Sequence, residues 1–317
     1  MNRILFLLLF FISLLNFSQN LKGVDTIVLN YKEFETIDSL SNKIKKDFHS
    51  DIERVRAIYT WIANNIRYDD LHIETPNRFL YTSQTDLEEQ ILKKNEDLAK
   101  SIFSSKRGIC YDYAVLFNKI CSNLDIKSEI IKGYAKAKVT RTEAISNFNL
   151  INNHAWNKVV INNKPYLIDT TWSLTIIPNK NGYIKDINYD YFLVNPNLFI
   201  LDHYPENFED SLIKRDISEL SFVNFPRVYL NAYKGIRLIR PIKSKINRYK
   251  ETNMKFTFQV TKPVKKVSFY LGDFFYSNIS YKIQNNVLTF DLDLKNNENN
   301  NLTLFINDKA ICSYWVE

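Results

Sequence analysis

The chain has 317 residues, of which 45% are hydrophobic and 14% aromatic, so it can bury a packed core without a disulfide framework. Its formal charge is +7, but the basic residues are interspersed with acidic ones and the basic clusters are short, which argues against nucleic acid as a partner. Three cysteines are too few for a disulfide-built scaffold, and their odd number leaves at least one free thiol.

Residues 1–18 have the layout of a secretory signal peptide. Arg3 precedes an apolar run from Ile4 to Leu15, and small and polar residues follow up to Ser18. The run is shorter than the roughly 20 apolar residues of a membrane span. We therefore expect cleavage, a secreted or periplasmic location and no stable membrane insertion afterwards, with a retained signal anchor as the alternative.

The segment 19–49 is predicted to be an N-terminal strand and lead-in, with a short strand over residues 25–35. After it, Val55, Ile58 and Ile62 recur at helical spacing, and Ser50 or Asp51 can cap that helix. A second helical pattern covers residues 86–103.

The stretch "RGICYDYAVLFNKICSNL" predicts a third helix that begins at or near Cys110, because Gly108 interrupts the preceding pattern. The unpaired N–H groups and positive dipole end of a helix start stabilise a thiolate, which makes Cys110 a candidate nucleophile. The alternative is that Cys110 is a small apolar residue of the core, since free cysteines are often buried. Cys121 lies mid-helix on the apolar stripe and is predicted to be core.

Three strand-like segments follow, over residues 128–137, 154–161 and 165–172. A two-residue turn at Asn162 and Asn163 would place His154 and Asp169 on one face of a hairpin as diagonal neighbours, because side chains alternate along a strand. A loop with an odd number of residues would separate them.

A cysteine at a helix start, a histidine on a strand and an aspartate on the next strand form a nucleophile, a base and an orienting group. The thiolate attacks a carbonyl carbon, the imidazole transfers the proton, and the carboxylate fixes the imidazole tautomer. Backbone N–H groups at the helix start can hold the oxyanion. The four histidines are scattered and no cysteine pair has metal spacing, so we expect no metal and no cofactor.

From about residue 220 the chain changes to short alternating strands separated by polar turns. Residues 220–317 are therefore predicted to form a small all-β, sandwich-like domain. Its role stays open at this point, with binding of cell-wall glycan or of a protein partner as the weaker ideas.

Four blocks of the sequence carry a resemblance: "RAIYTWIANNIRYD", "RGICYDYAVLFNKICSNLDIKSEIIKGYAK", "NHAWNKVVINNKPYLIDTTW" and "YFLVNPNLFILDHYPEN". Together they resemble the transglutaminase-like superfamily, and within it the kyphoscoliosis-peptidase-like branch. The match spans residues 50–205, about half of the chain, and is specific because the Cys, His-Ala-Trp and Asp-x-x-Trp blocks occur in order.

The resemblance implies an α+β fold with a papain-like or transglutaminase-like catalytic domain over residues 50–215. It implies that Cys110, His154 and Asp169 form the catalytic triad. Trp156 and Trp172 would be structural or cleft-wall aromatics. Tyr111 would lie at the substrate cleft.

Two departures from the family pattern bear on the entrance to this site. Tyr111 and Asp112 follow the cysteine where such proteins more often carry an acid or Gln and then Gly, and these side chains would crowd or charge the entrance.

The other conspicuous side chains are expected to be structural or at the surface: Trp61 and Tyr68 in the core, His203 as a satisfied structural histidine, and His49 and His72 at the surface.

The predicted function is that of a secreted cysteine enzyme that transfers an acyl group from a peptide or protein amide through a thioester on Cys110. Hydrolysis is favoured over crosslinking, and cell-envelope material is a further possible partner. The alternative is an inactive transglutaminase-like module that binds peptides or proteins.

Overall fold

A computed structural model describes residues 21–69, 79–137, 150–179, 182–230, 234–249, 253–294 and 300–317. The chain divides into two compact units, one of Met1–Lys132 and His154–Val194, the other of Gly133–Asn153 and Asn195–Glu317. The predicted signal peptide lies outside the described residues. Within them, no helix combines the length and the apolar character that crossing a membrane requires.

The first unit is mainly helical in its first half and then forms sheets. Its helices are α1 (residues 21–29), α2 (Ile37–Asp47), α3 (Asp51–Asn65), α4 (Gln84–Ser105) and α5 (Cys110–Asn123). Its strands are β1 (Arg67–Tyr68), β2 (Arg107–Gly108), β3 (Ser128–Ala135, which continues into the second unit), β4 (His154–Ile161), β5 (Lys164–Ile168), β6 (Leu174–Asn179) and β7 (Gly182–Ile187). Short 3₁₀ turns cover Thr171–Ser173 and Tyr189–Tyr191.

These elements share one apolar core. Val55, Ile58 and Ile62 of α3 are buried in it with Phe117 and Cys121 of α5, as their helical spacing predicted. Strands β4 and β5 add Val159, Ile161 and Ile168 to the same core. Helix α3 begins after Ser50, whose N–H donates to the Glu53 carboxylate over 3.2 Å, so the predicted cap is confirmed.

The strand predicted over residues 25–35 is wrong, because residues 21–29 are helical. Val24 and Val28 are buried one helical turn apart, whereas Ile27 and Leu29 are exposed, which is the pattern of a helix rather than of a strand. Asp25 then accepts two hydrogen bonds of 2.8 Å from the Arg56 guanidinium. This tertiary contact selects the helix over the β-branched residues' preference for strands.

The second unit contains the β domain predicted from residue 220 onward. Its helices are α6 (Pro196–Phe199) and α7 (Glu219–Asn224), with a 3₁₀ turn at Phe208–Ser211. Its strands are β8 (His203–Pro205), β9 (Arg227–Val228), β10 (Ile236–Arg240), β11 (Lys245–Ile246), β12 (Asn253–Val260), β13 (Val267–Leu271), β14 (Phe274–Tyr276), β15 (Lys282–Gln284), β16 (Val287–Asp293), β17 (Asn301–Ile306) and β18 (Lys309–Val316).

Two sheets build this β domain, one in the order β10-β12-β16-β15 and one in the order β11-β18-β17-β13-β14. Phe256 on β12 contacts Tyr314 on β18 edge to face, with ring centroids 5.5 Å apart, so the two sheets share an apolar interior. Period-two burial along β12, with Met254, Phe256, Phe258 and Val260 buried, confirms the alternation that predicted these strands.

His203 in the second unit is fully buried and has the partners expected of a structural histidine. Its Nδ1 lies 2.7 Å from Oδ1 of Asp202, and its ring stacks on Phe199 with centroids 4.0 Å apart. His203 is therefore buried with its Nδ1 hydrogen-bonded, as expected of a satisfied histidine.

Candidate active site

Cys110 is the first residue of α5, as predicted, and its side chain is partly exposed. The first N–H groups of a helix have no intrahelical acceptor, and Asp112 supplies one by accepting the Ile109 N–H at Oδ2 over 2.9 Å. Asp112 is buried and stabilises the helix start. The expectation that its charge lies at the entrance to the site is therefore wrong.

Each of the three cysteines is a free thiol, as the odd number allowed, but their surroundings differ. Cys121 and Cys312 are fully buried. Burial raises the pKa of the Cys121 thiol well above its usual range, although the neighbouring Ser128 hydroxyl acts in the opposite sense. Burial likewise raises the pKa of Cys312 to about 12. Cys110 is therefore the thiol with access to a reagent, and the prediction that Cys121 is core is confirmed.

Gly108 allows the chain to pass closely over the start of α5. A Cβ atom at this position would lie 2.7 Å from Ile102 Cδ1 and 2.8 Å from Asp112 Cβ, closer than packed carbon atoms come. The same residue pairs with Tyr68 in the parallel β1–β2 ladder, and its carbonyl accepts the Asp69 N–H over 3.0 Å. Glycine is required here because a side chain would displace Asp112, which caps the helix.

We expect Gly108→Ala to lower the free energy of unfolding by about 1–3 kcal/mol, because the added methyl group must displace Ile102 and Asp112. Denaturant unfolding measures the change. Gly23→Ala is the matched control, since nothing lies within 4 Å of a Cβ there and alanine favours the helix. Equal unfolding midpoints for Gly108→Ala and the native chain would show that the space exists after all.

His154 and Asp169 are brought together by a tight hairpin. Asn162 and Asn163 have φ values of 51° and 60°, the geometry of a type I′ turn, and Ile161 pairs with Lys164 on either side of it. The register continues to Asn157 opposite Ile168, where the ladder ends one residue before Asp169, so the predicted two-residue turn is confirmed.

His154 Nε2 lies 2.8 Å from Asp169 Oδ2, and Asp169 is 0% exposed. Because a carboxylate only accepts hydrogen bonds, we assign the proton of this contact to Nε2. The other carboxylate oxygen accepts the backbone N–H groups of Thr171 over 2.7 Å and of Trp172 over 3.2 Å. The two oxygens of Asp169 thus fix the imidazole on one side and the 3₁₀ turn on the other.

Helix α5 packs directly against the strand that begins with His154. Asn157 Nδ2 on β4 donates to the Ala114 carbonyl on α5 over 3.0 Å, in a buried contact. Burial, the neighbouring Tyr68 and the Asp169 charge together raise the pKa of Tyr113 above its usual range. The first turns of the Cys110 helix therefore lie against strand β4.

A second set of contacts, not anticipated from the sequence, holds the turn that follows Asp169. Tyr59 on α3 is fully buried and its hydroxyl donates to the Asn188 carbonyl over 2.5 Å. Asn188 in turn donates through its backbone N–H to Ser173 over 2.7 Å and through its side chain to the Trp172 carbonyl over 3.3 Å. Burial and then the Asp169 charge raise the pKa of Tyr59 well above its usual range, so it remains a donor.

The predicted aromatics take different places. Trp156 is buried, with its ring centroid 6.1 Å from that of His154, and so has a structural position. Trp172 is partly exposed, with its centroid 5.4 Å from His154. The Tyr111 hydroxyl donates to Asn95 on α4 over 3.1 Å, which ties this side chain to the neighbouring helix.

Tyr68 was expected in the core with Trp61, and this prediction is wrong for Tyr68, which is 49% exposed. Trp61 is buried as expected, and His49 is exposed as expected; His72 lies outside the described residues. Tyr68 sits on the two-residue strand β1, beside Gly108, with its ring 6.4 Å from that of Tyr113. The charged neighbours in "RYDD" are the signal that β1 lies at the surface.

Comparison with known proteins agrees with this geometry. Residues 38–172 match the family model of the transglutaminase-like superfamily. Kyphoscoliosis peptidase of Homo sapiens is 28% identical over 218 residues, which are 66% of this chain and 30% of that protein. Hillarin of Drosophila melanogaster is 27% identical over 228 residues, 65% of this chain and 25% of that protein.

A solved structure of a TGase is similar with a TM-score of 0.28 and 16% identity, over 56% of this chain and 42% of that one. The chain spans about a third or less of the curated relatives it matches. The family match contains Cys110, His154 and Asp169, in an α+β unit followed by an additional two-sheet domain. Residues 38–172 thus match a transglutaminase-like domain, and the similarity to kyphoscoliosis peptidase is consistent with that branch.

Proposed function

We propose that this protein is a cysteine-dependent enzyme that cleaves peptide or protein amide bonds by acyl transfer through a thioester on Cys110. The observation that carries the proposal is the 2.8 Å contact between His154 and a fully buried Asp169, within the segment that matches the family. A buried carboxylate oriented on an imidazole is the arrangement that a thiol nucleophile requires of its base.

In the proposed reaction, Cys110 Sγ gives its proton to His154 and attacks the carbonyl carbon of the amide. With Nε2 directed at Asp169, Nδ1 is the nitrogen proposed to take this proton. The C–N bond then breaks, and the imidazolium passes the proton to the leaving amine. N–H groups at the start of α5 stabilise the oxyanion. Water adds to the thioester in the second half, releasing a carboxylate and restoring the thiol.

Hydrolysis is proposed over crosslinking because the curated relative in Homo sapiens is named a peptidase. A lysine amine in place of water would give a crosslink by the same steps. Residues 1–18 support an extracytoplasmic location, so the substrates proposed are secreted or periplasmic peptides and proteins, including proteins of the cell envelope.

Thiol reactivity tests the proposal without a known substrate. We expect iodoacetamide at neutral pH to label Cys110 about tenfold or more faster than it labels glutathione, because in the proposed mechanism His154 takes the proton of this thiol. Cys121 and Cys312 should stay unlabelled in the folded protein, since burial raises the pKa of both thiols and keeps them protonated. Mass spectrometry of the digested protein locates the label.

His154→Ala is the control, and it should slow labelling of Cys110 to the rate of an ordinary thiol. Labelling of Cys110 at the glutathione rate in the native chain would contradict the proposed enzyme. It would instead support a transglutaminase-like module that binds peptides without cleaving them.

A further inference from the structure

The net positive charge of this protein comes from its C-terminal β domain. Residues 220–317 carry 15 Lys and Arg against 7 Asp and Glu, a net charge of +8. Residues 1–219 carry 27 against 28, a net charge of −1. A domain of this size with such an excess attracts polyanions at low ionic strength.

Part of this charge lies on the outer face of one sheet, where β10 has a register shift between Leu238 and Arg240. Arg240, Thr257, Thr289 and Lys282 form one row, directly opposite each other across β10, β12, β16 and β15. In the next row, Arg237 on β10 lies opposite Gln259 on β12. We call these six residues the basic rows.

The basic rows are accessible and their cations are not neutralised. Arg237, Arg240 and Lys282 are exposed, and among the described residues none of the three forms an ion pair. Lys245 and Lys266 elsewhere in the domain differ, because they pair with Glu317 at 2.5 Å and with Asp308 at 2.7 Å. Two acidic residues lie on the same face: Asp291 is in the row next to Thr257 and Thr289, opposite Lys255, and Asp293 is one row further, opposite Asn253.

The dimensions fit an extended polypeptide. Strands are about 4.8 Å apart, so Arg240 and Lys282 stand roughly 14 Å apart across the four strands. Side chains four residues apart on an extended chain project to the same side over about the same distance. Carboxylates at such spacing can meet both cations, while the Thr257 and Thr289 hydroxyls between them can bond the peptide backbone.

Other polyanions fit this face less well. The basic rows contain no aromatic ring on which a sugar or a nucleobase could stack. A second copy of the same domain is disfavoured because both copies carry +8.

We propose that the basic rows bind acidic, extended segments of polypeptide. The choice of polypeptide rests in part on the proposed amide chemistry of the first unit, whereas the charge and the geometry of the face stand independently of it. The domain then selects acidic protein substrates for the enzyme to which it is attached.

The experiment measures binding of fluorescent poly-L-glutamate to the full protein by anisotropy, over a range of NaCl concentrations. We expect salt-dependent binding, weakened about tenfold at low salt in Arg240→Gln/Lys282→Gln, as two exposed charge contacts would give. Lys245→Gln/Lys266→Gln loses the same net charge from lysines that are already paired, and it should change the affinity less than twofold.

Equal weakening in the two double variants would overturn the assignment to the basic rows, as would the absence of binding. Tighter binding of a polyuronate, of single-stranded DNA or of vesicles containing phosphatidylglycerol would overturn the choice of polypeptide. Repeating the titration with Cys110→Ala separates this proposal from the proposed function. Binding should be unchanged in that variant, while loss of thiol reactivity at Cys110 leaves the binding result standing.

Discussion

Cys110→Ser is expected to lower amide cleavage by about 10⁴-fold or more, because a serine hydroxyl is a far weaker nucleophile than the thiolate of the proposed mechanism. The free energy of unfolding should change by about 0.5 kcal/mol or less, since the side chain is partly exposed and the replacement is small. Denatured casein is the assay substrate, with new amines reporting hydrolysis and uptake of a labelled primary amine reporting crosslinking.

Cys121→Ser is the matched control on the same helix. It should keep its activity per folded molecule and lose about 1–2 kcal/mol of stability, because it places a hydroxyl in an apolar core at a residue that is 0% exposed. The nearby Ser128 hydroxyl can accept a hydrogen bond from it, which keeps the cost at the lower end. Loss of activity in Cys121→Ser with full activity in Cys110→Ser would show that the nucleophile is misassigned.

Asp169→Asn is expected to lower kcat by about 10²–10⁴-fold and to leave KM nearly unchanged, because Asp169 acts on the imidazole and not on the substrate. An amide nitrogen facing Nε2 donates where the carboxylate accepted, so the imidazole takes the wrong tautomer. The remaining carbonyl oxygen can still accept the Thr171 and Trp172 N–H groups. Steady-state kinetics and the rate of Cys110 alkylation measure the two effects.

Asp169→Ala separates positioning from folding. It removes the acceptor of two buried N–H groups as well as the imidazole contact, so it should also lose about 2–3 kcal/mol of stability. If Asp169→Asn lost as much free energy of unfolding as Asp169→Ala, the main role of the carboxylate would be to stabilise the fold. If Asp169→Asn alkylated at the native rate, Asp169 would not orient the base.

Much of this fold was predictable because its signals are local. The apolar spacing of α3 and α5, the glycine before Cys110 and the period-two pattern of the C-terminal strands each predict an element that is present. The Asn162-Asn163 turn also fixed the register of the hairpin, so the pairing of His154 with Asp169 followed from a two-residue loop.

One prediction failed because residues distant in the chain determine the local secondary structure. Residues 25–35 contain β-branched side chains that favour a strand, but Asp25 meets Arg56 and Thr60, and the segment is helical. The contact of Asp25 with Arg56 has no signature in a short window of sequence. The expectation for Asp112 failed for a local reason, because its carboxylate caps the Ile109 N–H three residues earlier and the side chain is buried.

The sequence by itself determined the position of Cys110 at a helix start and the pairing of His154 with Asp169, because helix breaks and hairpin registers are set by neighbouring residues. Only the tertiary structure decided which side chains hold the turn after Asp169 and the helix of Cys110 in place. Tyr59 and Asn188 are 129 positions apart, and Asn157 and Ala114 are 43 apart. Contacts between residues so distant in the chain form only when whole elements pack, and no periodicity encodes them.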